Sequence, residues 1–144
     1  MIRPATEADT PRLVEMTTRF LETTPYGTLF QADPVYIAAL MALVLEHGVI
    51  LLADLPPVVG MIALAALPHP LSGLLYADEQ CWWVEPEHRK GTIGPRLLMA
   101  AEAWARQHGC QSVKMVAQAG SSVGCHYLRL GYQEVETAFV KKLA

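Results

Sequence analysis

Charged side chains are scarce in this sequence. Only 17% of the 144 residues are charged, and 11 lysines and arginines face 14 aspartates and glutamates, for a net charge of −3 with neutral histidines. Proteins that bind nucleic acid through its phosphates normally carry a basic surface or stripe. The composition therefore argues against a general nucleic-acid-binding protein, and we expect no nucleic-acid partner.

Cysteine is also rare. Cys81, Cys110 and Cys125 are odd in number and lack the short paired spacings of zinc ligands. Free thiols of this kind are typical of a reducing compartment. Cys125 precedes His126, but adjacent residues on a helix point about 100° apart and so do not form a catalytic pair. The sequence thus predicts free thiols and no metal.

Long hydrophobic runs are absent. The longest apolar stretch, Val58 to Leu67, is too short for a transmembrane helix, which needs about 20 residues. The first residues lack the basic start and apolar core of a secretory signal. We therefore expect a cytoplasmic protein without a membrane partner.

Apolar residues, in contrast, are abundant, at 52% of the chain. A chain of 144 residues fits one domain, residues 1–144, that buries roughly two thirds of the surface of its unfolded form. So rich a composition indicates either a sheet covered on both faces or an apolar surface kept for a partner. A homodimer is therefore left open.

Helix-type and strand-type patterns alternate along this chain. The predicted helices begin after Thr6–Asp9, after Asp33-Pro34, at Ile93–Pro95 and at Ser121 or Ser122, and the last three end near Gly48, Gly109 and Arg129. The predicted strands are a short first strand, Val49–Ala53, Val58–Leu67, Leu74–Val84, Ser112–Gln118 and Tyr132–Lys142. The remaining segment, Leu21–Gln31, is expected to be irregular or briefly helical.

The most informative segment is Trp82–Leu98, in which a β-prone strand passes through a basic loop into a helix. The loop carries Arg89, Lys90, Gly91 and Gly94. Unpaired backbone N–H groups and the positive end of the helix dipole favour an anion at such a turn, and a phosphate fits best. The segment lacks the ending of a nucleotide P-loop and the third glycine of a dinucleotide-binding turn.

One stretch resembles the acyl-CoA signature of the GNAT acetyltransferase superfamily: Val84-x-Pro86-x-x-Arg89-x-x-x-x-Gly94-x-x-Leu97-Leu98. The family's first loop glycine falls on Thr92, for which we expect a negative φ. A second block, Tyr127-Leu128-Arg129-Leu130-Gly131-Tyr132, is similar to another element of this family, and the opening Ile2–Asp9 is typical of it. The resemblance covers nearly the whole chain.

The resemblance implies an α/β, GNAT-like acyl-CoA N-acyltransferase fold, with a central mixed sheet of six or seven strands flanked by about four helices. The sheet is expected to splay after Val84, so that a ligand enters between that strand and Ser112–Gln118. The implied function is transfer of an acetyl group from acetyl-CoA to a primary amine of a small molecule or protein by direct attack.

Two alternatives remain open. The first is a non-catalytic acyl-CoA-binding module of the same fold, because Thr92 and Gly120 stand where the family usually has glycine and asparagine. The second is a purely structural, dimer-forming domain that keeps the fold without the ligand.

The resemblance also implies which residues bind acetyl-CoA. Backbone groups of Trp83 and Val84 are expected to hold the pantetheine arm and polarise the thioester. Backbone donors of the loop are expected to hold the pyrophosphate, namely those of Arg89, Lys90, Gly91, Thr92, Ile93 and Gly94. Ser122, or Ser121, is expected to replace the asparagine contact that is missing at Gly120. No metal is implied.

Two side chains are candidates for the chemistry. Tyr127 matches the tyrosine that many family members use as general acid, and a phenol with a pKa near 10 stays protonated at pH 7. The alternative is that its ring only packs beneath the CoA arm. Glu79 is the leading candidate for the base, because it precedes the thioester position on the same strand. The alternatives for the base are Asp78, Glu85, Glu22 and His69.

Overall fold

The computed structural model describes residues 1–144. Its strands are β1 (Ile2–Pro4), β2 (Gly48–Asp54), β3 (Val58–Pro68), β4 (Leu75–Val84) and β5 (Ser112–Lys114). Its α-helices are α1 (Thr10–Thr23), α2 (Pro34–His47), α3 (Ile93–Gln107) and α4 (Val123–Arg129). Short 3₁₀ turns cover Glu7–Asp9, Pro25–Thr28 and Pro86–His88. None of the helices combines the length and apolar character needed to cross a membrane.

The five strands form one sheet in the order β1-β2-β3-β4-β5. The first three pairs are antiparallel, and β4 and β5 are parallel. The α/β class, the mixed sheet and the four helices are confirmed, whereas the number of strands is five rather than six or seven.

Both faces of the sheet are covered, which explains the continuous apolar runs of β2 and β3. On one face, Ile50 and Leu52 of β2 share a core with Leu13 of α1 and Met41 of α2. On the other face, neighbouring β2 residues pack in a second core with residues of α3 and with Tyr127 of α4. The sheet therefore separates an α1/α2 side from an α3/α4 side.

Helix α2 begins at Asp33-Pro34, as the sequence predicts. The Asp33 carboxylate accepts hydrogen bonds from the N–H groups of Val35 and Tyr36, at 3.0 and 3.1 Å, which satisfies two donors of the first turn. Gly48, in contrast, is not in the left-handed conformation expected of a helix stop. A Cβ there would lie 1.9 Å from the carbonyl oxygen of Leu64. Glycine is needed because β2 and β3 approach closely at this point.

Two predicted strands are corrected. β5 ends at Lys114 rather than at Gln118, and Tyr132–Lys142 forms no strand. β-propensity reflects packing against neighbouring strands, so a β-prone segment without a paired edge does not form a strand. The C-terminal segment is linked to β5 instead by an ion pair between Lys114 and Glu136, at 3.1 Å.

The sheet opens along β4. Residues 76–78 of β4 pair with residues 112–114 of β5, and the pairing stops there. On the other edge of β4, Ala63 faces Cys81 while Leu64 faces Glu79, so Gln80 is an extra residue in a β-bulge. The opening therefore begins at Glu79, earlier than the expected position after Val84.

Candidate active site

The free edge of β4 offers backbone groups to a ligand. In an antiparallel pair, alternate residues direct their N–H and C=O groups to the same neighbour. Glu85 donates to the carbonyl of Val59 on β3 at 2.8 Å, and Trp83 has the same parity, so its backbone also faces β3. Trp82 and Val84 face the opening. The backbone of Trp83 therefore does not face the opening, as its expected role requires, whereas the backbone groups of Trp82 and Val84 do.

The loop before α3 presents a row of free donors. Five consecutive N–H groups make no hydrogen bond within the protein, those of Lys90, Gly91, Thr92, Ile93 and Gly94. Thr92 has φ −100°, which confirms the expected negative value. Ile93 and Gly94 open a 15-residue helix and the other three donors directly precede it, where the helix dipole also favours negative charge. Their chemistry fits an anion with several oxygens, such as a pyrophosphate.

Arg89 differs from its expected role. Its Nε donates to the Val84 carbonyl at 2.7 Å, and its guanidinium carbon lies 4.5 Å from the ring centroid of Trp83. Its backbone N–H donates to Pro86 at 3.3 Å. The Arg89 side chain therefore links the loop to the end of β4 through these two contacts. Neither Arg89 nor Lys90 has an ion-pair partner, and the exposed Lys90 side chain makes no hydrogen bond either.

Glu79 lies at the point where the sheet opens. Its carboxylate accepts a hydrogen bond from the N–H of Val116 at 3.3 Å. Burial raises the pKa of Glu79 to about 7, and the nearby charge of Asp78 adds to the rise, although the Val116 hydrogen bond opposes it. A carboxylate that titrates near neutral pH is suited to accept a proton during catalysis.

Tyr127 approaches the same opening from α4. Its hydroxyl donates to the carbonyl of Val116 at 3.0 Å, and its ring centroid lies 6.0 Å from Trp82 and 5.5 Å from Tyr132. Burial, followed by the nearby acidic groups Glu79 and Tyr132, holds the pKa of Tyr127 well above its ordinary value. The phenol therefore keeps its proton at neutral pH.

Val116 brings the two candidates together. Its N–H contacts Glu79 and its carbonyl contacts Tyr127. These backbone groups are available because β5 has already ended at Lys114. Sequence reasoning missed Val116, which carries no side-chain signal and lay within a strand predicted to continue to Gln118.

Glu85, an alternative base, has a structural role. It is 4% exposed and accepts hydrogen bonds from Trp83 Nε1 and Arg12, each at 3.1 Å, and from Arg19. Burial alone would raise the pKa of Glu85, but the Trp83 hydrogen bond and the two arginine charges outweigh it and lower the pKa. A carboxylate engaged in this way is a poor proton acceptor.

The other candidates make no hydrogen bond to Val116, which contacts both Glu79 and Tyr127. Alternation places Asp78 on the α1/α2 side, opposite Glu79. Glu22 is exposed on α1, and His69 accepts a hydrogen bond from Leu71 in the β3–β4 loop at 3.2 Å. Ser122 is exposed before α4, and its hydroxyl makes no hydrogen bond.

Known proteins resemble this chain in sequence pattern and in fold. Residues 13–132 match the acetyltransferase (GNAT) family model. Similar solved structures include an acetyltransferase from Trypanosoma brucei, with 21% identity, TM-score 0.74 and 99% of each chain covered. An aminoglycoside antibiotic 6'-N-acetyltransferase from Acinetobacter haemolyticus has 22% identity and TM-score 0.75, with 100% of this chain and 99% of that chain covered.

A third similar structure is a ribosomal-protein-alanine N-acetyltransferase from Brucella melitensis, with 17% identity, TM-score 0.76, and 100% of this chain and 99% of that chain covered. No curated protein sequence gives a significant match. At these identities the structural similarity shows the fold, while the family model matches most of the chain. The protein therefore belongs to the GNAT acetyltransferase family.

Proposed function

We propose that this protein is an acetyl-CoA-dependent N-acetyltransferase that transfers the acetyl group to a primary amine by direct attack. Membership of the family supports an acyltransferase in general. The observation that carries the specific proposal is the meeting of Glu79 and Tyr127 at Val116, where the sheet opens. A proton acceptor near neutral pH and a protonated phenol are the two groups that aminolysis of a thioester requires.

The donor substrate would be held by backbone groups. Trp82 and Val84 have free N–H groups on the open edge of β4, which can pair with the pantetheine arm and polarise the thioester carbonyl. A well-placed donor to the developing oxyanion contributes roughly 3–4 kcal/mol. The five free N–H groups of residues 90–94 suit the pyrophosphate.

Glu79 acts as the base in this proposal. The acceptor arrives as an ammonium ion and loses a proton to Glu79, directly or through water. The neutral nitrogen attacks the thioester carbon, forms the amide bond and displaces the sulfur.

Tyr127 acts as the acid. Its hydroxyl can rotate about the C–O bond, from the Val116 carbonyl toward the sulfur, and protonate the leaving thiolate. After the attack the nitrogen still carries one proton more than a neutral amide, and this second proton passes to the Tyr127 phenolate, directly or through water. Glu79 releases the first proton to solvent, so both groups are restored and one proton is released per turnover. The products are the acetylated amine and CoA with a free thiol.

The acceptor would approach from the α1/α2 side and reach Glu79, on the other face of the sheet, through the gap where β5 no longer pairs with β4. A cavity of about 380 Å³ lies there between the end of α1 and the start of α2. Its lining includes Glu22, Phe30 and Gln31 of the Leu21–Gln31 segment. A carboxylate beside an aromatic ring favours a cationic acceptor.

The proposal is tested by mixing the protein and acetyl-CoA with a panel of amines and detecting acetylated products by mass spectrometry. Two solved relatives suggest panel members, a peptide with an N-terminal alanine and an aminoglycoside. We expect a product that requires both the protein and acetyl-CoA. Calorimetric binding of acetyl-CoA without product from any amine would favour the non-catalytic module, and absence of binding would contradict both functions.

A further inference from the structure

The adjacent residues Trp82 and Trp83 differ in the surroundings of their indole nitrogens. The indole N–H of Trp83 donates to Glu85 at 3.1 Å. The indole nitrogen of Trp82 is buried and has no partner, and it is the only buried side-chain nitrogen or oxygen atom in the chain with none. Buried indole N–H groups normally find an acceptor, so this exception requires an explanation.

The indole edge that carries the unpaired N–H lies beside the loop of residues 89–94. Trp82 is on the α3/α4 side of β4, and its ring centroid is 6.0 Å from that of Tyr127. A Cβ on Gly94 would lie 3.6 Å from Cζ2 of Trp82. Cζ2 and Nε1 are bonded to the same ring carbon, so this edge of the indole, with its N–H, lies against the first turn of α3.

We propose that Trp82 binds the donor substrate, with its indole N–H donating to a phosphate oxygen of the acyl-CoA pyrophosphate. The inference rests on the proposed function and adds a side-chain donor to the five backbone donors of residues 90–94. The ring as a whole is only partly buried although its nitrogen is covered, so the proposal requires the ring or its neighbours to shift when the ligand binds.

The test removes the N–H while keeping the shape of the ring. Trp82 is replaced by β-(3-benzothienyl)alanine, in which sulfur stands for the N–H, and by phenylalanine as a second variant. Calorimetry gives the dissociation constants of CoA and of pantetheine, which lacks the pyrophosphate. Trp83→Phe is the matched control, because its N–H already has a partner on the opposite face.

Both Trp82 variants should bind CoA roughly five- to tenfold more weakly, as loss of a hydrogen bond to a charged group requires. Their pantetheine affinity should stay within twofold of the parent. The benzothienyl variant should melt no lower than the parent, because an unsatisfied buried donor has been removed. Trp83→Phe should instead melt lower, because Glu85 loses a donor.

Unchanged CoA affinity in the folded Trp82 variants would overturn the inference, and so would an equal loss for CoA and pantetheine. Neither result would affect the proposed function if the parent protein binds and uses acetyl-CoA. Failure of the parent to bind CoA would contradict the proposed function itself.

Discussion

On the α1/α2 face of β4, Trp83 donates to Glu85, and Glu85 also accepts from Arg12 and Arg19. On the α3/α4 face, the Trp82 N–H is unpaired and the pKa of Glu79 is raised to about 7. Neighbouring residues at the end of β4 thus face a hydrogen-bonded ion-pair network on one side, and an unpaired donor and a carboxyl group of raised pKa on the other. Perturbed pKa values and unpaired donors are typical of functional sites, whereas closed ion-pair networks more often hold a fold together.

The comparison predicts separate consequences for the two faces. Changes on the Glu85 side should lower stability, and changes on the Glu79 side should alter binding or turnover. Each of the following tests breaks or sharpens this division, from the largest expected effect to the smallest.

Glu85→Ala should lower the free energy of unfolding by about 3–5 kcal/mol, because it leaves the buried indole N–H of Trp83 without an acceptor and Arg12 and Arg19 without this counter-charge. Chemical denaturation measures the loss. The matched control is Glu15→Ala, since the Glu15 side chain pairs with Arg12 at 3.0 Å but is 60% exposed. That change should cost less than about 1 kcal/mol. Equal effects of the two substitutions would remove the basis for the division.

Tyr127→Phe should lower kcat by roughly 10²–10⁴ and leave the CoA dissociation constant within a few-fold, because the ring remains and the acidic proton is lost. Single-turnover kinetics and calorimetry separate the two quantities. Tyr132→Phe is the control, since the Tyr132 hydroxyl donates to Glu102 at 2.9 Å, away from Val116. Turnover as fast as the parent in Tyr127→Phe would show that this tyrosine only packs.

The pH dependence of the rate tests Glu79. A base must be deprotonated, so kcat/KM should rise as the pH passes about 7, the raised pKa of this carboxyl group. Glu79→Gln should lower kcat/KM roughly 10²-fold and abolish this titration. A variant that keeps the same pH profile would place the base elsewhere.

Ionisation of Glu79 should lower the stability of the fold, whereas ionisation of most carboxyl groups in proteins raises it. Its pKa is higher in the folded protein than the value of about 4.3 in an unfolded chain. The folded state therefore holds its proton more tightly, and this contribution is complete below pH 4 and lost as the pH rises through about 7. Glu79→Gln should be more stable than the parent at pH 8, by on the order of 2–3 kcal/mol. Equal stabilities at pH 8 would contradict the raised pKa.

The smallest effect is expected at Lys90. Because its exposed charge lies next to the free N–H groups, Lys90→Ala should weaken CoA binding only two- to fivefold, and added salt should reduce the difference. Calorimetry at two salt concentrations measures this.

Arg89→Ala should lower the melting temperature, unlike Lys90→Ala, because the Arg89 side chain donates a hydrogen bond to the Val84 carbonyl. If Lys90→Ala lowered the melting temperature and Arg89→Ala did not, the structural role assigned to Arg89 would be wrong.

Local signals in the sequence predicted much of the fold. Asp33-Pro34 marks the start of α2, and the apolar runs on either side of residues 54–57 form β2 and β3. These elements depend on caps, turns and burial, which neighbouring residues encode. The loop signature likewise located the start of α3 at Ile93.

Features set by pairing between distant segments were not predictable. The length of β5 depends on where β4 turns away at Gln80, and Tyr132–Lys142 lacks a strand partner. Which of Trp82 and Trp83 directs its backbone to the opening depends on register with β3, which alternation alone does not define. The sequence proposed Glu79 and Tyr127 separately, but their shared contact with Val116 required the structure.

The central claim is that acetyl-CoA binds on the open edge of β4 and at the N-terminus of α3. Amide NMR spectra recorded during titration with acetyl-CoA test it most directly. We expect large shifts for the backbone N–H groups of residues 90–94 and for the indole N–H of Trp82, and little change for the indole N–H of Trp83. Saturable binding that leaves the 90–94 resonances unmoved would contradict it.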